Sequence, residues 1–174
     1  MVCVDPAEFV ITSAVTALKA LYDPDSPCPP EGGGTKNIKV VSGEGPMWDP
    51  VQHMNEGSCN EPFVWTRLVM RARTSNFPEP DLGVNCLGDP LIVLEFGVGR
   101  CSPDSLQPIA DYAVVAEEAE IGRDDSWRLD KLVCAMRATL KNGYMVAAEP
   151  VLPQGPEGGG IVWSTTLYVA IITD

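Results

Sequence analysis

The segment Ile161–Thr173 reads as a strand ending in alternating apolar residues, placed last in the chain. Its hydrogen-bonding partners must therefore be elements already made, elsewhere in the sheet or on a neighbouring subunit. Ahead of it stand an amphipathic helical stretch near Arg123–Lys141, a strand pattern over Tyr144–Leu152 and a turn at Gln154–Gly160. The fold is thus completed by long-range pairing, and the earlier part of the chain has to supply the sheet.

Asp5-Pro6-Ala7-Glu8 is a helix start: an Asp cap, Pro at the first helical position and an acid three residues after the cap. Phe9, Val10, Ala14, Ala17, Leu18 and Leu21 recur at helical spacing, so residues 6–22 are expected to form an amphipathic helix that Asp23-Pro24 ends. Asp25–Gly34, rich in Pro and Gly, reads as an exposed loop. Lys36–Val41 is a short strand candidate, followed by the irregular Ser42–Asn60. In Phe63–Arg73, alternation places Val64, Thr66, Leu68, Met70 and Ala72 toward a core and Phe63, Trp65, Arg67, Val69, Arg71 and Arg73 on the opposite, partly basic face. Leu91–Arg100 follows as a strand, and if it lies antiparallel to the previous one, Glu95 shares the face of the arginines.

A second helical region opens at Ser102-Pro103-Asp104-Ser105, with Leu106, Ile109, Ala110, Ala113 and Val114 as its apolar stripe. Gly122 is expected to break or kink it before Asp124-Asp125-Ser126 caps a continuation. There Leu129, Leu132, Val133, Met136 and Leu140 share one face, with Arg128, Asp130, Lys131 and Arg137 mostly away from it, and Asn142-Gly143 stops the helix. The order of elements predicts an α+β fold, a mostly antiparallel sheet with helices packed on one face, formed as one domain over residues 1–174 with flexible loops near 23–35 and 153–160.

Charge removes several classes of function. Lys+Arg 12 against Asp+Glu 24 gives a net charge of -12, which repels a phosphate backbone rather than binding it. An acidic surface still suits a protein past which DNA slides without sticking. No apolar run reaches the roughly 20 residues of a membrane helix, and no basic-then-apolar leader opens the chain, so a cytosolic protein is expected. Six cysteines (Cys3, Cys28, Cys59, Cys86, Cys101 and Cys134) lack a C-x-x-C pair and the chain has a single His, so no zinc-type spacing is present. They read as buried or half-buried thiols. The disulfide that remains open is Cys59 with Cys86, which flank the two central strands, in a particle later exposed to oxidising surroundings.

The residues that could carry chemistry have simpler readings. Gly32-Gly33-Gly34-Thr35-Lys36 holds the ingredients of a phosphate loop in the wrong order, with a strand rather than a helix after it. Glu117, Glu118, Glu120, Asp124 and Asp125 read as a solvated acidic face rather than a catalytic pair. His53 has no nucleophile placed beside it, and Cys101 reads as a thiol packed beneath the following helix. No cofactor or metal is expected. The layout is that of a small assembly subunit more than of an enzyme.

The set Trp65-Thr66-Arg67-Leu68, Leu94-Glu95-Phe96-Gly97-Val98-Gly99-Arg100-Cys101-Ser102-Pro103 and Gly155-Pro156-Glu157-Gly158-Gly159, followed by Trp163-Ser164-Thr165-Thr166, resembles neck and tail-terminator proteins of long-tailed phages that infect actinobacteria. The resemblance spans about Ala7 to Thr173 and covers tail terminators and other neck rings alike, among them head–tail stoppers and connectors. It implies a tail-terminator-like fold and a virion protein made in the host cytoplasm, usually in closed rings of six copies. Such a ring caps the tail tube and meets the head-side connector or stopper while genomic DNA passes through its channel. On that reading Arg67, Arg71, Arg73, Glu95, Glu157 and Trp163 are interface candidates, and the loops Asp25–Gly34 and Gln154–Gly160 are arms toward neighbouring rings. A tail-tube or minor tail subunit would share the ring symmetry. The alternative from another class is an acidic enzyme or ligand-binding domain using His53, Glu56 and Cys59.

Overall fold

A computed structural model describes residues 5–41, 59, 61–81, 83, 87–102, 111–157 and 159–172. Helix α1 (Pro6–Leu21) begins as its sequence dictates: the Asp5 carboxylate accepts from the Ala7 amide at 3.0 Å and Pro6 occupies the first turn. Ala7, Val10, Ala14 and Leu18 form its fully buried stripe. Phe9 falls beside that stripe and is half exposed, its ring tilted against Tyr144 with centroids 6.2 Å apart.

The sheet is built from β1 (Lys39–Val41), β2 (Phe63–Thr74), β3 (Asp89–Cys101), β4 (Tyr144–Ala148), β5 (Leu152–Glu157) and β6 (Gly160–Ile171). Its order is β1-β2-β3-β6-β4, with β5 also paired to β6, and only the β1–β2 pair is parallel. The last strand lies between β3 and the β4/β5 pair, so the chain closes on itself. Helix α1 and the long α2 (Tyr112–Thr139) cover one face. There Leu129, Leu132 and Met136 of α2 join the α1 stripe over Val64, Ile92, Leu94, Phe96, Val98, Leu167 and Val169. This is the α+β architecture expected from the order of elements. No helix among the described residues is long and apolar enough to cross a membrane.

Several local expectations are corrected. The β2–β3 register brings Arg67 opposite Glu95, as alternation predicts, but then slips between Leu68 and Met70. An extra residue reverses the faces beyond it. Met70 and Ala72 pass to the face of Leu91 and Val93, whereas Arg71 and Arg73 pass to the helix face, away from Glu95. Tyr144–Leu152 is not one strand: Glu149, Pro150 and Val151 separate β4 from β5, and Pro150 has no N–H to give a ladder. The expected turn at Gln154–Gly160 is largely strand, because β5 pairs with β6 through Gln154 and, after a register irregularity, again at Glu157 opposite Gly160. The first strand is confined to Lys39–Val41.

Gly122 does not break α2. It is buried where the Trp163 indole crosses the helix, and a Cβ there would lie 3.0 Å from the Trp163 Nε1. The glycine serves close packing of helix on sheet, and the helix keeps its hydrogen bonds on either side. In the described part of its first turns α2 does not show the expected burial, since Ala113 is exposed; Asp111 caps it by accepting from the Ala113 amide at 2.9 Å. Ser102 is described outside any helix, and the expected opening of the helix over 103–110 lies outside the described residues.

Candidate functional site

The densest polar cluster lies where the end of β3, the middle of α2 and the loop after α1 meet. Arg100 is carried on the helix face of β3 and Asp125 on the inward face of α2. The pair is bidentate, with Arg100 Nε 2.5 Å from Asp125 Oδ2 and Nη2 2.9 Å from Oδ1. Arg100 also donates to the Gly32 carbonyl and, at 3.1 Å, to that of Gly33. One turn along the helix, Arg128 pairs with Asp124 at 2.7 Å and donates to the carbonyls of Leu21 (2.6 Å), Cys28 (3.2 Å) and Pro29 (2.9 Å).

Two readings are overturned here. Asp125 is not part of a solvated acidic face, being 1% exposed, and Arg128 is not turned away from the core, being 3% exposed. Periodicity missed both because a guanidinium inside a helix interface is indistinguishable in sequence from one in water until its acceptors are known. The acceptors are main-chain carbonyls of a loop that has no regular partners of its own. The Gly-rich run thus presents carbonyls to a cation, the reverse of the amides that cradle a phosphate. These bonds tie residues 28–33 to the helix and strand ends, leaving Pro24 and Asp25 at an exposed tip where Lys36 pairs with Asp25.

Burial pushes the Asp125 carboxyl above the ordinary aspartate range, opposed by Arg100, and pushes the buried Tyr22 phenol well above its usual value. Glu118, Gly122, Ile121 and Trp163 continue this region as a cavity of about 40 Å³. That is room for water, far below the several hundred Å³ of a metabolite site. The Trp163 Nε1 and one Glu118 carboxylate oxygen are buried without hydrogen-bond partners among the described residues. Also among the described residues, no three His, Cys, Asp or Glu side chains converge as metal ligands.

The interface candidates are scattered. Arg67 donates to Glu95 at 2.8 Å on the sheet face away from the helices, and the Trp65 Nε1 reaches the other Glu95 oxygen at 3.3 Å. Trp65 is completely buried and its ring lies across Gly97, directly opposite on β3. A methyl group at position 97 would overlap the ring. Gly97→Ala is therefore expected to destabilise by roughly 1–3 kcal/mol, read as a lower urea midpoint, and to cost less when Trp65 is already leucine.

Arg71 pairs with Asp5 at the start of α1, and Arg73 donates to the Gly88 carbonyl at 2.9 Å. The Arg71 hydrogen bond, then the Ala7 amide, holds the Asp5 carboxyl below its usual range. A lowered folded value means that the contribution is full above the unfolded aspartate value and is lost as pH falls through the folded one. Both partners are exposed, so Arg71→Ala is expected to leave the thermal midpoint nearly unchanged, and any difference to disappear at about 1 M salt. Trp163 is half-buried, its indole packed against Gly122 of α2. Glu157 ends β5 by pairing with Gly160, and its side chain lies outside the described residues, as do His53, Glu56 and Cys86.

Cys101 is not a free thiol and Cys59 does not join Cys86: the two described residues form the disulfide Cys59–Cys101. Cys101, the last residue of β3, borders the small cavity together with Glu118, Ile121 and Gly122 of α2. Cys28 and Cys134 are free and exposed. No known protein family matches the sequence, and neither does any curated protein.

Proposed function

We propose that the chain is a ring-forming structural protein of the head–tail junction of a long-tailed phage, a tail terminator in the first instance and otherwise another neck ring such as a stopper or connector. Its copies cap the tail tube, meet the head-side connector and surround the passing genome, with no catalysis and no cofactor. The motif set shared with such proteins suggests this reading, and the α+β architecture agrees with the fold it implies. The observation that carries it is how the gathered ionic side chains are used. Arg100 with Asp125, Arg128 with Asp124 and Arg67 with Glu95 are spent on one another and on main-chain carbonyls, which stiffens a scaffold.

A net charge of -12 suits a channel from which DNA must slide freely. The Cys59–Cys101 bond suits a particle that ends its life outside a reducing cytosol. Light scattering on the purified protein, with negative-stain images of the same sample, tests the proposal. Rings of about six copies with a central hole are expected. A strict monomer at high concentration, with no rings on added tail tubes, returns the molecule to the ligand-binding class.

A further inference from the structure

We infer that copies of this chain join head to tail through the two unlike edges of the sheet, Lys39 of one copy entering the groove beside Glu79 and Glu149 of the next. The inference rests on the ring reading and specifies its contact. Among the described residues the outermost strands are β1 at one end and β4 with β5 at the other. Their charges are segregated. The strands β1 and β2 carry Lys39, Arg67, Arg71 and Arg73 and no acid, while the stretch from β4 through β5 carries Glu149 and Glu157 and no base. On a molecule with net charge -12, like copies repel unless the scarce positive charge is concentrated where they touch.

Of the basic residues at the first edge, Arg67, Arg71 and Arg73 are engaged within the chain. Lys39 is exposed and has no ion-pair partner among the described residues. Its register opposite Trp65 puts it on the sheet face away from the helices. The second edge offers a receptacle on that same face. An open groove of about 260 Å³ is floored by Pro78, Pro80, Ala147 and Ala148 and rimmed by Glu79 and Glu149, the latter held by the Tyr168 hydroxyl at 2.6 Å. A lysine suits it, its aliphatic stem lying on proline and alanine and its ammonium meeting carboxylates.

Strand direction agrees as well. The strand β1 runs parallel to β2, and β2, β3, β6 and β4 alternate, so β1 is antiparallel to β4. A neighbour placed side by side in the same orientation continues the antiparallel alternation across the junction. Such a contact is heterologous and repeats until it closes. Val40 and Leu152, 59% and 57% exposed on the two outer strands, are the aliphatic residues such a junction would cover.

The test is sedimentation of the full chain as wild type, Lys39→Glu, Glu149→Lys and the combined reversal, with circular dichroism as a fold control. Each single reversal is expected to weaken association on the order of tenfold at low salt, and the combination to restore most of it. A second measurement places cysteines at 39 and 149 together in a Cys28→Ser, Cys134→Ser background. Oxidation should give a ladder of covalent multimers that neither cysteine gives alone. A wild-type multimer unmoved by the reversals, with no ladder, overturns the edge contact and leaves the ring reading standing. A wild-type monomer at every concentration, with no rings on added tail tubes, overturns both.

Discussion

Asp125→Ala is expected to cost about 3–5 kcal/mol, because it leaves a guanidinium at a helix–sheet junction without its counter-charge. Arg100 would keep the carbonyls of Gly32 and Gly33 but lose both carboxylate bonds, and Asp125 itself is 1% exposed, so water cannot replace it cheaply. Asp125→Asn, which keeps one acceptor, should cost clearly less. Chemical denaturation at neutral pH measures both, and a loss under about 1 kcal/mol for the alanine variant would show that the pair is not a buried anchor. The pH dependence has a distinct sign. Burial raises the folded-state value of Asp125, so as pH falls through it the folded chain takes up a proton before the unfolded chain does. This site therefore gains stability on mild acidification, from the raised value down to the ordinary aspartate value, whereas Asp5 loses its contribution at lower pH. The stability of the wild type relative to Asp125→Asn should rise as pH falls through that upper window and stay flat above it.

Removing the Cys59–Cys101 bond is expected to have an effect of similar size. It spans a sequence separation of 42, for which loop-closure entropy alone gives about 4 kcal/mol. Either serine variant, or reduction of the native protein, should lower Tm by roughly 5–15 °C for a domain of this size. Thiol counting under denaturing conditions, with and without reductant, should differ by at least the two sulfurs of this bond. Identical counts would remove the disulfide from the structure, and an unchanged Tm would show that other contacts already hold the segment before β2. The position of Cys101 gives the effect its mechanical meaning. It is the residue after Arg100, so one strand end carries both the covalent tie and the ionic anchor.

Much of the fold is legible in the residues because it rests on local rules. The cap at Asp5, the buried positions Val10, Ala14 and Leu18, the strand alternation around Arg67 and Glu95, and the closing strand each follow from spacing that needs no knowledge of the rest of the molecule. The candidate surface was only partly legible. Opposite-charge pairing across a ladder can be anticipated from alternation, as Arg67 with Glu95 shows, but one bulge after Leu68 sends Arg71 and Arg73 to the other face. Nothing in the residue types at 68–70 announces that extra residue.

By itself the sequence determined the α+β class, the acidic balance and the helices and strands whose patterns are locally complete. Only the tertiary structure decided what its ambiguous residues do. Gly122 is a helix breaker by propensity, yet it lies inside α2 because Trp163 needs the space. Asp125 and Arg128 look solvated by composition, yet they are buried because Arg100 and a loop of free carbonyls come to meet them. Cys101 finds Cys59 because sheet pairing delivers it there. The physical reason is common to all of these: a propensity is a preference of a few tenths to about 1 kcal/mol per residue, and a buried charge, a close packing contact or a covalent bond outweighs it several-fold.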